Sequence, residues 1–274
     1  MHRPVAVVAL LVLAAIVVAG LLGGRVAPYP VNAIDLAHVN QAHAPTLAGK
    51  HWFGTDYLGR DLFSQTLYGL HTSLLAAFVV AGAAAVLGTL VGAAAGYAGG
   101  AVDAVLMRGI ELIVSVPVIA VLLASLAYFA VLTPGKIALV LSLYLWTSVA
   151  RVVRAACVTL REREFVEAAH AAGASAVRII ARHLLPNCFG TIVVATTSIF
   201  GIALTLEATL DFFGVGTQQS STGGPTLGNL IADSSKFGQL QDAPWWTYTM
   251  PALVLIVLLT CVNFVADSFD DALN

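Results

Sequence analysis

Apolar runs long enough to cross a membrane recur along the chain and are separated by shorter polar segments. A bilayer core of about 30 Å needs roughly 20 apolar residues per helix. Windows of that size predict six spans, at residues 5–22, 73–97, 109–129, 137–153, 188–210 and 248–265. The pattern therefore predicts an all-α, polytopic membrane protein with six transmembrane helices.

The composition agrees with a membrane protein and argues against nucleic-acid binding, disulfides and a metal site. The chain is 59% hydrophobic and 10% charged, whereas soluble domains average roughly 25% charged residues. A formal net charge of -2 offers no basic excess for binding nucleic acid. The three cysteines match neither zinc-site nor disulfide spacing, and the seven histidines lack metal-ligand spacing, so no metal site is expected.

The basic residues predict the orientation. The first span is expected to be a retained anchor and not a cleaved signal peptide, because its apolar run is long and no clear A-x-A site follows. Because six is an even number of spans, both termini lie on the same side of the membrane. Eight arginines lie on that side, and five basic residues lie on the other side. The eight are Arg3, Arg108, Arg151, Arg154, Arg161, Arg163, Arg178 and Arg182. The positive-inside rule then predicts cytoplasmic termini.

This topology divides the chain. Residues 1–72 form an N-terminal anchor and a first external loop, and residues 73–274 form a five-span core. Residues 211–247 are predicted to form a second external loop, and residues 154–187 a cytoplasmic loop. Small residues crowd the second span, as in AGAAAVLGTLVGAAAGYAGG (residues 81–100), and they favour close approach of neighbouring helices.

The cytoplasmic loop contains a segment, EFVEAAHAAGASAVRIIARHLLPN (residues 164–187), whose pattern is helical. Its apolar positions recur at helical spacing up to Gly173, which is placed for a left-handed C-cap. Ser175 is expected to cap a second helix, which Pro186 should end. The nearly all-alanine face of the first half suits insertion into a groove on another protein. The alternative is an amphipathic helix lying on lipid headgroups. We call residues 164–186 the docking segment.

The docking segment resembles the EAA loop of bacterial ABC importer permeases. Glu-Ala-Ala is followed by three residues, Gly173, nine residues and His-Leu-Leu-Pro. The form Arg-His-x-Leu-Pro-Asn is similar to the version in the dipeptide, oligopeptide and nickel permease family. Further stretches resemble that family's motifs: GTDYLGRD (residues 54–61), YAGGAVDAVLMRGIELIVSVP (97–117), EATLDFFGVG (207–216) and the tail DSFDDALN. The resemblance is to the second permease subunit of such systems and runs from about residue 50 to the end.

The resemblance implies a type I ABC importer permease in a bacterial inner membrane, forming half of a translocation pathway. The implied partners are a second homologous permease, two cytoplasmic ATPase subunits, an extracytoplasmic substrate-binding protein and membrane lipid. Peptides are the implied substrates, and nickel or another small solute is the alternative. The implied ATPase-coupling residues are Glu164, Phe165, Glu167, Ala168, Ala169, Gly173, Ala174, Arg178, His183, Leu185 and Pro186.

No catalytic role is expected of this chain. It contains no G-x-x-x-x-G-K-[ST] nucleotide-binding loop and no H-E-x-x-H motif. ATP and Mg²⁺ would be bound by the partner ATPases, so no cofactor is expected here.

Several polar residues outside the docking segment are candidates for function. Asp56, Arg60 and Asp61 precede the second span, where they either form a capped turn or contact an external partner. Trp245 and Trp246 are typical of an interfacial belt, with a binding-protein contact as the alternative.

Three further candidates lie within the predicted spans. Arg108 and Glu111 have the spacing of an ion pair on one helix face, which we favour over a substrate ligand. Pro117 is expected to bend the third span toward a pore or gate. Glu207 is an acidic residue well inside a span, and such residues are functional candidates. It either lines the pathway or makes an interhelical contact.

Two rival functions differ from an ATP-driven importer. A transporter driven by an ion gradient is disfavoured by the scarcity of intramembrane ionisable residues and by the absence of an obvious inverted repeat. A membrane-anchored assembly subunit would need no ATPase partner.

Overall fold

The computed structural model describes residues 3–39, 42–46, 50–128, 133–213, 224–237 and 244–273, and these residues are almost entirely helical. Within them the only β-type pairings are two isolated bridges, Val39 with Leu58 and Thr55 with Asp61. The all-α prediction is confirmed. The helices are α1 (Arg3–Leu21), α2 (Gly23–Val26), α3 (Leu62–Ala98), α4 (Gly100–Val114), α5 (Val118–Tyr128), α6 (Pro134–Arg161), α7 (Glu164–Ala171), α8 (Ala176–Ile179), α9 (Leu185–Phe212), α10 (Leu227–Phe237) and α11 (Trp245–Leu273).

Four helical stretches are long and apolar enough to cross a membrane. They are α3, α6, the continuous helix Ala176–Phe212 that contains α8 and α9, and the Trp245–Phe269 part of α11. The apolar part of α1, Ala6–Leu21, is shorter. At 1.5 Å per residue it spans about 24 Å, less than the roughly 30 Å of a bilayer core. The described helices therefore account for four straight spans, and the first of the six predicted spans remains a prediction.

The third predicted span is not one straight helix. The chain turns sharply after α3 at Gly99 and Gly100, whose φ angles are +63° and +51°, so α4 begins nine residues before the predicted start. Helix α4 ends at Val114, and α5 resumes at Val118, bent by 67°. Pro117 lies at this break. The helix is interrupted here because the ring nitrogen of proline cannot donate the hydrogen bond that would continue α4. A bend at Pro117 is thus present, its direction toward a pore stays a prediction, and the bent pair is either a broken fifth span or a re-entrant loop.

Two helices continue beyond the spans predicted within them. Helix α6 continues past residue 153 to Arg161, so Arg154 and Arg161 of the predicted cytoplasmic loop lie on the same helix as the fourth predicted span. Helix α3 begins at Leu62, eleven residues before the predicted span. Hydropathy windows find the apolar centre of a helix, whereas backbone hydrogen bonding continues through its polar ends.

Glycines let α3 and α6 touch along their backbones. Gly88, Gly92 and Gly96 are spaced four apart on α3 and face α6. A Cβ atom on Gly92 would lie 2.5 Å from the carbonyl oxygen of Ala150. The buried side chains of α3, α6, α9 and α11 form one apolar core around this seam, with Leu74, Leu141, Leu204 and Leu258 fully buried. The close packing predicted from the small residues is confirmed.

Candidate functional site: the docking segment and the polar clusters of the bundle

The docking segment turns sharply after its first helix. Helix α7 ends in a Schellman motif, in which the N–H of Gly173 donates to the carbonyl of His170 (2.9 Å) and the N–H of Ala174 donates to the carbonyl of Ala169 (3.1 Å). Gly173 has φ of +76°, a left-handed conformation that glycine adopts without a steric penalty. The predicted left-handed cap is confirmed. Ser175 stands at the N-cap of α8 but makes no side-chain capping bond.

A few apolar side chains hold the docking segment against the bundle. Val166, Ile179 and Leu184 are buried in the main core, and Ala169 and Ala174 pack partly against it. Val166 is the buried anchor of α7, whereas the neighbouring Phe165, which belongs to the predicted ATPase-coupling residues, is 38% exposed.

Most of the remaining docking-segment residues are accessible from outside this chain. Glu164, Glu167, Ala168, Gly173, Arg178 and Pro186 are exposed, and His183 and Leu185 are half-buried. The face of α7 that carries Phe165 and Ala168 continues through Ala172 into an exposed turn. An added Cβ on Gly173 would meet no atom of this chain within 4 Å. The segment therefore presents an apolar surface with little side-chain bulk.

Pro186 does not end the second helix, contrary to the sequence prediction. Residues Ile180–Leu184 form a π-helical turn, and the N–H of Leu185 donates to the carbonyl of Ile180. Proline then takes a position in the first turn of α9, where its missing N–H costs little. The π-helical turn absorbs the interruption, so Ala176–Phe212 runs as one helix. Such turns are frequent at functional sites.

A polar contact ties the docking segment to the end of α3, which is in turn bonded to the end of α6. The Tyr97 hydroxyl lies 3.0 Å from Nε2 of His170, and the two rings stack with an interplanar angle of 9°. The guanidinium of Arg161 donates to the carbonyl of Gly96 (3.1 Å). Helix α7 therefore contacts the end of α3, and the end of α3 is bonded to the end of α6.

An ion pair that the sequence did not reveal lies beside these contacts. Arg154 on α6 donates two hydrogen bonds of 2.5 Å from Nε and Nη2 to the two carboxylate oxygens of Asp103 on α4. The side chains are 35% and 17% exposed. Because 51 residues separate the partners, no local spacing rule indicates this pair. It fixes the start of α4 against α6.

Replacing Arg154 with glutamine is expected to lower the free energy of unfolding by about 1.5–3 kcal/mol, because Asp103 loses two hydrogen bonds from a charged donor in a partly buried site. The matched control is Arg108→Gln. Arg108 and Glu111 form the predicted ion pair (2.8 Å), but their side chains are 79% and 63% exposed, so its loss should cost less than about 1 kcal/mol. Thermal melting of the purified assembly in detergent compares the two, and equal melting temperatures would contradict this ranking.

Glu207 lies in a buried polar cluster between α3, α9 and the start of α10. It is 3% exposed, and its neighbours include the Ser73 hydroxyl and Asp211, one turn further along α9. Asp211 accepts a hydrogen bond from the Thr226 hydroxyl, which also accepts from the N–H of Asn229 at the start of α10 (3.1 Å). This placement favours the interhelical contact over pathway lining, and a pathway role for Glu207 stays a prediction. Residues 214–216 of the motif that contains it lie outside the described residues.

The residues before α3 form the capped turn that the sequence suggested. Asp61 is the N-cap of α3, with Oδ2 accepting from the N–H and the hydroxyl of Ser64 (2.8 and 2.7 Å). Asp56 pairs with Nε of Arg60 (2.6 Å) and accepts from the backbone N–H groups of Leu58 and Arg60 (both 2.9 Å). Arg60 and Asp61 are buried. Their bonds within this chain account for their burial, and contact with an external partner stays a prediction.

The two tryptophans at the start of α11 have different surroundings. Nε1 of Trp246 donates to the carbonyl of Thr55 (3.3 Å) and so joins α11 to the capped turn. Trp245 is 55% exposed and packs edge-to-face on Trp246. The exposed ring of Trp245 is the one that suits an interfacial or partner contact.

A second unpredicted cluster lies on the same turn. His51 is buried, with Nδ1 2.8 Å from Oδ1 of Asp61 and Nε2 3.5 Å from Oδ2 of Asp35. Nδ1 of His38 lies 3.0 Å from the same Asp35 oxygen. The Ala37 N–H, followed by the imidazoles of His38 and His51, lowers the pKa of the Asp35 carboxyl below its ordinary value. The fold thus assembles histidines whose spacing in the sequence carried no metal signal.

Comparison with known proteins places this architecture in a family. Residues 88–274 match the family described as binding-protein-dependent transport system inner membrane component. A putative peptide transport system permease protein of Brucella suis is 36% identical over 230 residues, which cover 82% of this chain and 73% of that protein. The oligopeptide transport system permease protein OppC of Haemophilus influenzae is 36% identical over 238 residues, covering 84% and 72%.

A solved structure agrees at the level of the fold. A chain of the MetNI methionine ABC transporter, determined in inward-facing conformations, superimposes with a TM-score of 0.60 at 18% identity. The match covers 77% of this chain and 96% of that chain. At this identity the likeness concerns the fold, which is that of a type I importer permease.

Proposed function

The chain belongs to the family of inner membrane components of binding-protein-dependent transport systems, and from that premise we propose that it is one of two permease subunits of an ATP-driven peptide importer. In this assignment the docking segment receives the motion of an ATPase subunit, and the helical bundle forms half of the pathway. The observation that carries the proposal is the exposed, small-residue surface of α7 and its turn, which is anchored to the bundle on its other side.

The docking surface suits a protein groove better than a lipid headgroup layer. A groove that encloses a helix requires small side chains on the inserted face, and Ala168, Ala172 and Gly173 meet that requirement. Exposed charges of both signs, including Glu164, Glu167 and Arg178, surround that face and would form the polar rim typical of protein interfaces. A helix adapted to anionic headgroups would instead concentrate basic residues on its polar side.

A mechanical connection leads from the docking segment into the bundle. The helix that starts at Ala176 continues to Phe212, and at 1.5 Å per residue its 37 residues extend over about 55 Å. Displacement of the turn at Gly173 would therefore act on the start of this helix, whose far end carries the buried cluster of Glu207 and Asp211. The π-helical turn at Ile180–Leu184 is the place where the helix is expected to bend.

The proposed second subunit accounts for the apolar surface that this chain leaves uncovered. Only 28–50% of the apolar windows of the four long spans is buried within the chain. Lipid covers part of the remaining surface, and a homologous permease facing the pathway would cover another part. We place both termini in the cytoplasm, on the same side as the docking segment, following the distribution of arginines.

Peptides are the proposed substrate class, because the relatives that cover most of this chain are named as peptide or oligopeptide permeases. Nickel or another small solute is the second candidate. Selectivity would be set mainly by the binding protein that delivers the substrate.

The test begins with gentle extraction of the tagged chain from its native membrane, with and without a non-hydrolysable ATP analogue. A second permease, ATPase subunits and a binding protein are expected to co-purify. The recovered assembly is then placed in liposomes and supplied with labelled peptides of two to five residues, with Ni²⁺ and a free amino acid as parallel substrates. Peptide uptake should require ATP and the binding protein.

Two outcomes would overturn the proposal. ATP-independent uptake that follows an imposed ion gradient would identify a secondary transporter, and recovery of the chain without any ATPase would remove the coupling role. ATP-dependent uptake of Ni²⁺ but not of peptides would retain the importer and replace its substrate class.

A further inference from the structure

Three potential metal ligands converge on the turn between α1 and α3. The atoms are a carboxylate oxygen of Asp35 and one ring nitrogen each of His38 and His51, and all lie within 4.8 Å of one another. Asp35 is the N-cap of the short 3-10 turn Leu36–His38, and His38 is its last residue, whereas His51 contacts the N-cap of α3. Two separate parts of the external loop are thus brought to a single point.

The spacing of these atoms is close to that of a tetrahedral metal site. Bonds of about 2.0–2.1 Å place neighbouring ligand atoms of a tetrahedron roughly 3.3 Å apart. In the structure the Asp35 oxygen is 3.0 Å from Nδ1 of His38 and 3.5 Å from Nε2 of His51. Small rotations of exposed side chains would close the set around a cation, because the side chains of Asp35 and His38 are 37% and 28% exposed.

The buried histidine has the support that metal-bound histidines usually have. Nδ1 of His51 lies 2.8 Å from the Asp61 carboxylate, which leaves Nε2 pointing toward Asp35. A carboxylate on the second ring nitrogen selects the tautomer with a free Nε2 lone pair and raises its basicity. Asp61 is itself held by the N–H and hydroxyl of Ser64. The orientation of His51 is therefore built into the cap of α3.

We propose that Asp35, His38 and His51 bind a divalent cation of the Zn²⁺ class, with Asp61 positioning His51. Two imidazoles and one carboxylate are ligands that suit zinc and similar first-row ions, and a fourth position remains for water or a partner. The bound ion would cross-link the residues that follow α1 to the start of α3. This inference does not depend on the transported substrate.

The test measures zinc binding to the intact assembly, purified with a tag that contains no histidine and stripped with a chelator. Competition with a chromophoric zinc chelator gives the affinity, and Co²⁺ absorption reports the coordination geometry. Asp35→Asn and His38→Gln alter partly exposed side chains and should preserve the fold. Each is expected to remove one bound Zn²⁺ per chain or to weaken it by roughly 100-fold or more, since a direct ligand should matter at least as much as its supporting carboxylate.

Two further variants sharpen the result. Asp61→Asn keeps an effective helix cap but weakens the support of His51, so a loss of about 10–100-fold in zinc affinity is expected. His71→Gln, which changes a histidine bonded to the carbonyl of Gly20, should bind zinc as the unaltered protein does. Zinc should also raise the melting temperature of the unaltered assembly and not that of His38→Gln. Equal zinc binding by the unaltered protein, Asp35→Asn and His38→Gln would overturn the site.

Discussion

A Gly173→Val assembly is expected to lose substrate-stimulated ATP hydrolysis and peptide uptake while its subunits still co-purify. Valine disfavours the left-handed conformation that residue 173 adopts at φ +76°, and forcing it there costs about 1–3 kcal/mol. If that penalty falls on the conformation in which the docking segment engages the ATPase, ATP hydrolysis and peptide uptake fall by roughly 5–150-fold. The two bonds of the Schellman motif, from Gly173 and Ala174, would weaken together.

Gly173→Asn separates the two reasons for requiring glycine at this position. Asparagine tolerates the left-handed conformation better than other side chains do, yet it adds bulk to an exposed position that meets nothing in this chain. If the groove of the ATPase demands glycine, Gly173→Asn will be as inactive as Gly173→Val. If only the turn matters, Gly173→Asn will retain most of its uptake. Normal uptake by Gly173→Val would refute the role of the docking segment.

Gly92→Ala is expected to prevent assembly of a stable bundle. The new methyl group would lie 2.5 Å from the Ala150 carbonyl oxygen and 3.0 Å from the Val153 Cβ. The first contact is with backbone, so α3 and α6 must separate, and the neighbouring contacts at Gly88 and Gly96 would open with them. Overpacking typically costs 1–3 kcal/mol and occasionally more, and we expect the upper end or beyond. The measurement is the yield and melting temperature of the monodisperse assembly.

Gly82→Ala is the matched control on the same helix. Gly82 is exposed, and a Cβ there would meet no atom of this chain within 4 Å. Because alanine favours a helix over glycine by up to about 1 kcal/mol, this variant should be as stable as the unaltered protein or slightly more stable. Similar melting temperatures for Gly82→Ala and Gly92→Ala would mean that α3 and α6 can move apart at Gly92 without loss of stability.

Local chemistry explains the predictions that succeeded. Asp61 and Ser64 form a cap within one helical turn, Arg108 and Glu111 pair at a spacing of three residues, and Gly173 follows α7 at the position where a left-handed residue is common. In each case the partners are neighbours in the chain. Their contacts therefore follow from the geometry of a single helix.

Predictions failed where the structure around a residue overrode the signal of its own sequence. Pro186 is a helix breaker in isolation, but the π-helical turn before it allows the backbone to continue into α9. Hydropathy likewise did not reveal that α6 extends to Arg161.

The sequence by itself determined the helical membrane class of this protein, the docking segment with its glycine turn, and the small-residue stripe of α3. These follow from composition and from periodicity along one helix. Only the tertiary structure decided the pairing of Asp103 with Arg154 and the convergence of Asp35, His38 and His51 beside Asp61. The physical reason is that such contacts join residues distant in the chain or held together by a turn. Their distances depend on how helices cross and where the chain reverses, which no single-segment pattern encodes.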